Sequence, residues 1–325
     1  MRIHPELRAL RGNDAPQRDA QEALYRVVGA WREQDEIGEV LKDLASLDSG
    51  TGLGECQALS SLFTGSGEAA KAFVQGFVRA VSAGLGDAPL GHVPLRHFTD
   101  GTSSTLLLAR SGNVTLSLVA IDGDGFACKP DPVTADFSPS EVWERVLAGK
   151  AQADLIDLKA ETGSRAELAI STISIEAGAT VHRDRRRQTC LLRAIEGRLV
   201  FLRLQRRLTD SGPSREYDLS DGRTVHQAAG NPRDSRIELM MALLGRMQRA
   251  DAAPILGEIA REEGTTALRW QALRECLALD TLEGFSALTA IARSPGDDLA
   301  PAAGALRSQL IETYPQLGEL ELCHA

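Results

Sequence analysis

Aromatic side chains are scarce, with Phe, Trp and Tyr making up 4% of the 325 residues. Binding bases or sugars on broad stacking platforms needs many exposed rings, so this shortage argues against such platforms. Positive charge is also in deficit. With 36 basic against 45 acidic residues the chain carries a net −9, which argues against nucleic acid and anionic membrane surfaces as partners. Only 5 of the basic residues are Lys, a bias that points to codon usage rather than function.

Paired cysteines are missing too. Cys56, Cys128, Cys190, Cys276 and Cys323 lie far apart with no CxxC, which suits neither a disulfide framework nor a zinc site. No run approaches the roughly 18 apolar residues of a membrane span, and the opening MRIHPELRALRGND has no apolar core segment. The expectation is a soluble, cytoplasmic protein.

Residues 1 to about 86 read as helical. Leu24, Val27, Val28 and Trp31 fall on one helix face, and Ile37, Val40, Leu41, Leu44 and Leu47 repeat the pattern. Gly50, Gly52 and Gly54 follow no strand and precede no Gly-Lys-Ser/Thr, so they read as a connection rather than a phosphate loop. A Pro/Gly-punctuated link near residue 90 contains His92 and His97, which read as loop residues.

Strand texture then takes over. STLLLAR and NVTLSLVAID flank a hairpin signal at Ser111-Gly112-Asn113. FSPSEVWERVLAG is expected to be a short helix capped by Ser138 or Ser140. Alternation resumes at ADLIDLK and puts Leu168, Ile170, Thr172 and Ser174 on one face, as in a sandwich or barrel. IELMMALLGRMQ fits either a strand or a buried helix. Beyond Ala252, four consecutive helical segments resemble HEAT-type repeats or a plain bundle.

The central stretch resembles the cupin family. Gly178 and Gly197 match the outer glycines of its first motif, and Gly222 and Gly230 those of its second. The run TCLLRAI, a turn at Glu196-Gly197 and the run RLVFLRL fit the same pattern. In this register the family's metal-ligand positions fall on Asp184, Arg186, Cys190 and Arg233, and Ala228 replaces a motif proline. An arginine has no lone pair to offer a metal. What the resemblance implies is therefore a metal-free rim of Asp184, Arg186, Cys190 and Arg233 suited to a carboxylate or phosphate. Alternatively, Arg186 and Arg233 face solvent or pair with Asp184 and Asp234.

A shifted register resembles the Fe(II)/2-oxoglutarate oxygenases, including the JmjC-type branch, which share the double-stranded β-helix core. It implies His182, Asp184 and His226 as the two-His-one-carboxylate metal ligands and Arg236 as the clamp on 2-oxoglutarate. The four arginines Arg183, Arg185, Arg186 and Arg187 beside that dyad oppose a divalent cation electrostatically.

The expected fold class is α+β: an N-terminal helical region at 1–90, a cupin-like β-barrel at 91–245 and a C-terminal helical repeat or bundle at 246–325. The leading functional expectation is a binding or regulatory protein without a cofactor. Its barrel would take a small anionic ligand or a peptide segment, and its C-terminal helices a protein partner. Cupin-like cores often pair, which makes a homodimer an expectation of the resemblance. The alternative is an Fe(II)/2-oxoglutarate-dependent hydroxylase. A third reading makes Asp184 the base of a metal-independent isomerase or lyase, with the arginines stabilising an oxyanion.

Overall fold

The computed structural model describes residues 12–208 and 212–319; Cys323 lies outside them. The chain divides into two compact units, one formed by residues 12–208 and 215–226, the other by 212–214 and 227–319.

The first unit begins with the helices α1 (Ala15–Arg32), α2 (Asp35–Asp48), α3 (Gln57–Ser61) and α4 (Glu68–Asp87). Their buried faces follow the periodicity of the sequence: Leu24, Val28 and Trp31 on α1, and Ile37, Val40, Leu44 and Leu47 on α2. The strands follow as β1 (His97–Thr99), β2 (Ser103–Ser111), β3 (Val114–Asp122), β4 (Thr134–Phe137), β5 (Ser140–Thr162), β6 (Arg165–Glu176), β7 (Thr180–Asp184), β8 (Gln188–Arg207), β9 (Ser214–Asp218) and β10 (Thr224–Ala228), with the short helix α5 (Gly123–Ala127) between β3 and β4.

A large antiparallel sheet runs β1-β2-β3-β8-β5-β6, with β7 also paired to β5; β10-β9-β4 form a small second sheet. The small sheet is tied back to the large one. Ser138 N, directly after β4, donates to Arg185 O, Ala166 N to Gly222 O and Thr224 N to Ser164 O. A core of Ala135, Phe137, Ile156 and Tyr217 lies between the two sheets. The result is a curled, closed β structure, the barrel of the expectation.

Side chains alternate across this sheet and serve two cores. Leu116, Leu202 and Leu204 pack with Trp31, Phe73 and Phe77 of the helices, while Val119, Val146, Leu199 and Phe201 fill the barrel interior. The three-part division at 90 and 245 is corrected accordingly. The first helices share one core with the barrel strands, and the second unit starts at Gln227, before rather than after the segment IELMMALLGRMQ.

FSPSEVWERVLAG is not a helix. From Ser140 onward it is the start of the 23-residue strand β5, with β7 on one side and β8 on the other. Val142 and Val146 are four residues apart, which mimics a helix face, but pairing on both edges overrides that local pattern. Gly149 allows the strand to continue past a bulge: its φ is +92°, and a Cβ there would stand 2.3 Å from Arg198 O.

The turn expected at Glu196-Gly197 is also absent, since β8 runs on from Gln188 to Arg207. Gly197, at φ +68°, instead marks the point where β8 leaves Glu196 paired with Lys150 and sets Arg198 opposite Asp122 of β3.

The second unit is helical: α6 (Pro232–Arg246), α7 (Ala253–Arg261), α8 (Thr266–Leu279), α9 (Thr281–Ala292), α10 (Ala300–Thr313) and α11 (Gln316–Glu319). The ambiguous IELMMALLGRMQ belongs to α6, whose start is set by Asn231 accepting a hydrogen bond from Asp234 N at 2.8 Å. Leu256, Leu273, Phe285, Leu288 and Ile291 build its core. Among the described residues no helix is long and apolar enough to cross a membrane.

Candidate anion-binding cavity

The inner faces of β5, β7 and β8 define the site. The register sets Val142 opposite Arg183 and Gln205, and Glu144 opposite Val181 and Arg203. One step further along β5, Val146 faces Phe201, and Leu199 pairs with Ile121 of β3. The interior is therefore layered, with a charged rung of Glu144, Arg183 and Arg203 above apolar rungs of Val146, Phe201 and Leu199. These residues line a cavity of about 180 Å³, joined by Ile175, Thr189, Cys190 and Leu192.

Glu144 bridges the two arginines. Its Oε2 accepts from Arg183 Nη2, and its Oε1 accepts from Arg203 Nε at 2.7 Å. Burial alone would push the Glu144 carboxyl up, but the Arg203 and Arg183 guanidiniums outweigh it and hold the group below the usual carboxylate range. Arg203 also lies over the Phe201 ring, 5.1 Å from its centroid.

Arg183 is only 6% exposed, and its Nη1 is buried without a hydrogen-bond partner among the described residues. Such an orphan donor is costly in a charged group. At the rim, Arg185 pairs with Asp136. The lining thus sets three guanidiniums (Arg183, Arg185, Arg203) against two carboxylates (Asp136, Glu144), a surplus of one positive charge. Burial pushes the Cys190 thiol up, so it is present as the neutral thiol.

The residues singled out in the sequence are distributed differently. Cys190 does line the cavity. Asp184 and Arg186 pair with each other at the β7–β8 turn, Arg186 Nη2 donating to Asp184 Oδ2 at 2.6 Å, and the Arg186 side chain is 47% exposed. Arg233 and Arg236 are exposed on α6, in the second unit, rather than on a barrel strand. The rim of Asp184, Arg186, Cys190 and Arg233 implied by the resemblance is not assembled on the barrel strands.

Nor is the alternative triad. His182 and Asp184 share the side of β7 opposite Arg183, where the His182 ring stacks on Trp143 at 4.7 Å and 9°. His226 is exposed on β10, in the other sheet. Among the described residues no three His, Cys, Asp or Glu side chains gather as a metal site. His182, Asp184 and His226 therefore do not form the ligand set of an oxygenase, and Arg236 is on no barrel strand where it could serve one. Asp184, tied to Arg186 on that same outer side, is likewise not placed as a base in the cavity.

Sequence reasoning missed Glu144, hidden in an apparent helix, and Arg203, and placed Arg183 only among the cations beside the His182–Asp184 dyad. The available signal was the period of two in TVHRD: if His182 and Asp184 share one face, Val181 and Arg183 share the other.

No family model matches the chain, and no curated protein does. Among solved structures it is similar to the Drosophila melanogaster CENP-C bound to CAL1, with a TM-score of 0.27 and 10% identity over 34% of this chain and 79% of that one. KdgF from Halomonas sp. gives a TM-score of 0.25 and 10% identity over 35% and 88%. A cupin superfamily protein from Desulfitobacterium hafniense gives 0.23 and 12% over 34% and 83%.

Proposed function

We propose that the barrel is a binding module for a small anionic ligand held inside the cavity. The observation that carries this reading is Arg183, a nearly fully buried guanidinium that spends Nη2 on Glu144 and keeps Nη1 unpaired. Holding an unpaired cationic donor in a barrel interior is unfavourable unless an anion completes its hydrogen bonds. The surplus positive charge of the lining supports the same conclusion.

The anion-binding residues in this proposal are Arg183 and Arg203, with Glu144 fixing the angle of both guanidiniums. The test is calorimetric titration of the full chain with acetate, benzoate, succinate and inorganic phosphate, alongside Arg183→Met. At least one anion should bind to the parent chain and lose tenfold or more in affinity in the variant. Binding of none of them, or equal binding by both proteins, overturns the reading.

A further inference from the structure

The layering of the cavity narrows the ligand class. Its charged rung holds one buried donor without a partner among the described residues, Nη1 of Arg183, while Glu144 occupies Arg183 Nη2 and Arg203 Nε. The next rungs are Val146 against Phe201 and Leu199 against Ile121, and Val146, Leu199, Phe201 and Ile175 are all buried. A ligand that is charged along its whole length would set a second ionic group against these walls, where desolvation opposes it. A dianion would also exceed the surplus of one charge.

Size sets the other limit. An apolar cavity of about 150 Å³ accepts benzene, so one of about 180 Å³ accepts a single ring or a chain of like bulk.

We infer that the ligand is a monocarboxylate with a compact apolar body, its carboxylate on Arg183 Nη1 and its body among Val146, Ile175, Leu199 and Phe201. This rests on the anion-binding reading above. Arg183 reads the charge, and the apolar rungs read the length and bulk of the body.

The experiment is a competition series on the unmodified full chain, so that no variant has to fold. The probes are the straight-chain carboxylates from acetate to octanoate, benzoate, benzamide, succinate and inorganic phosphate. Burial of each methylene predicts a gain of about fourfold in affinity, continuing along the series until the cavity is full and then reversing. Benzoate should bind at least tenfold more tightly than its uncharged amide.

Succinate or phosphate binding most tightly would overturn the monocarboxylate and leave the anion module standing. Benzamide matching benzoate, or affinity that does not change from acetate to octanoate, would also overturn it. No binding by any probe would remove both readings together.

Discussion

Arg183 and Glu144 face each other inside the barrel, and their pairing uses only one of the two terminal nitrogens of the guanidinium. The carboxylate is shared with Arg203, so one negative charge answers two positive ones. The site is thus under-compensated, and its behaviour should follow from that imbalance.

Glu144→Gln removes the only carboxylate that pairs with either Arg183 or Arg203 among the described residues. Breaking a buried ion pair from one side typically costs about 3–5 kcal/mol. Urea denaturation of this variant should show a loss of that order, and added ligand should recover more stability than it does in the parent chain. A change below about 1 kcal/mol would contradict the geometry.

Acid should act through the same carboxyl. Its folded-state pKa lies below the ordinary value of 4.5. Its contribution to stability is therefore fully present above about 4.5 and is lost as pH falls through the lower folded value, because the unfolded chain takes up the proton first. Denaturation midpoints measured from pH 7 to pH 2 should fall on the acid side in the parent chain. The Glu144→Gln profile should lack this part of the decline.

Thiol chemistry should distinguish inside from outside. Cys190 lines the cavity with its thiol pushed up by burial, whereas Cys128 is exposed. Iodoacetamide near pH 7.5, followed by peptide mass spectrometry, should label Cys128 first and Cys190 at least tenfold more slowly. Saturation with a bound carboxylate should slow Cys190 further.

His182 and Asp184 should behave as packing and surface residues. His182→Ala loses the stack on Trp143, an effect of about 1 kcal/mol. Asp184→Asn breaks a partly exposed pair with Arg186, worth at most about 1 kcal/mol. Elemental analysis should find the same divalent-metal content in the parent and the double variant.

Gly149→Ala should test the bulge in β5. Its positive φ strains any L side chain, and the added Cβ would meet the backbone oxygen of Arg198. A loss of about 2 kcal/mol or more is expected in thermal or urea unfolding.

The helices were legible because their apolar spacing answers to a single partner surface. Leu24, Val28 and Trp31, and the four segments after Ala252, fold as their periodicity indicates. The hairpin at Ser111-Gly112-Asn113 likewise joins β2 to β3. Strand β5 was not legible, since Val142 and Val146 satisfy a helix as well as a strand and the choice is made by distant partners. The site was hidden for a related reason. A period of two separates His182 from Arg183 but does not say which side is interior, and both sides of TVHRD carry polar groups. Only the packing of Trp143 and Leu204 toward the helices settles that Arg183 faces the barrel.

Strand β8 has one further consequence. Leu202 and Leu204 belong to the core beneath the helices, while Phe201 and Arg203, their neighbours in sequence, line the cavity. A strand is an extended, nearly inextensible ribbon, so a displacement on one of its surfaces has no slack in which to dissipate. Ligand seated against Phe201 would be sensed at Leu202 one peptide away, which makes the helical layer a sounding board for occupancy of the barrel. Amide exchange in α1 and α4 would then report what is bound on the far side of a single polypeptide sheet.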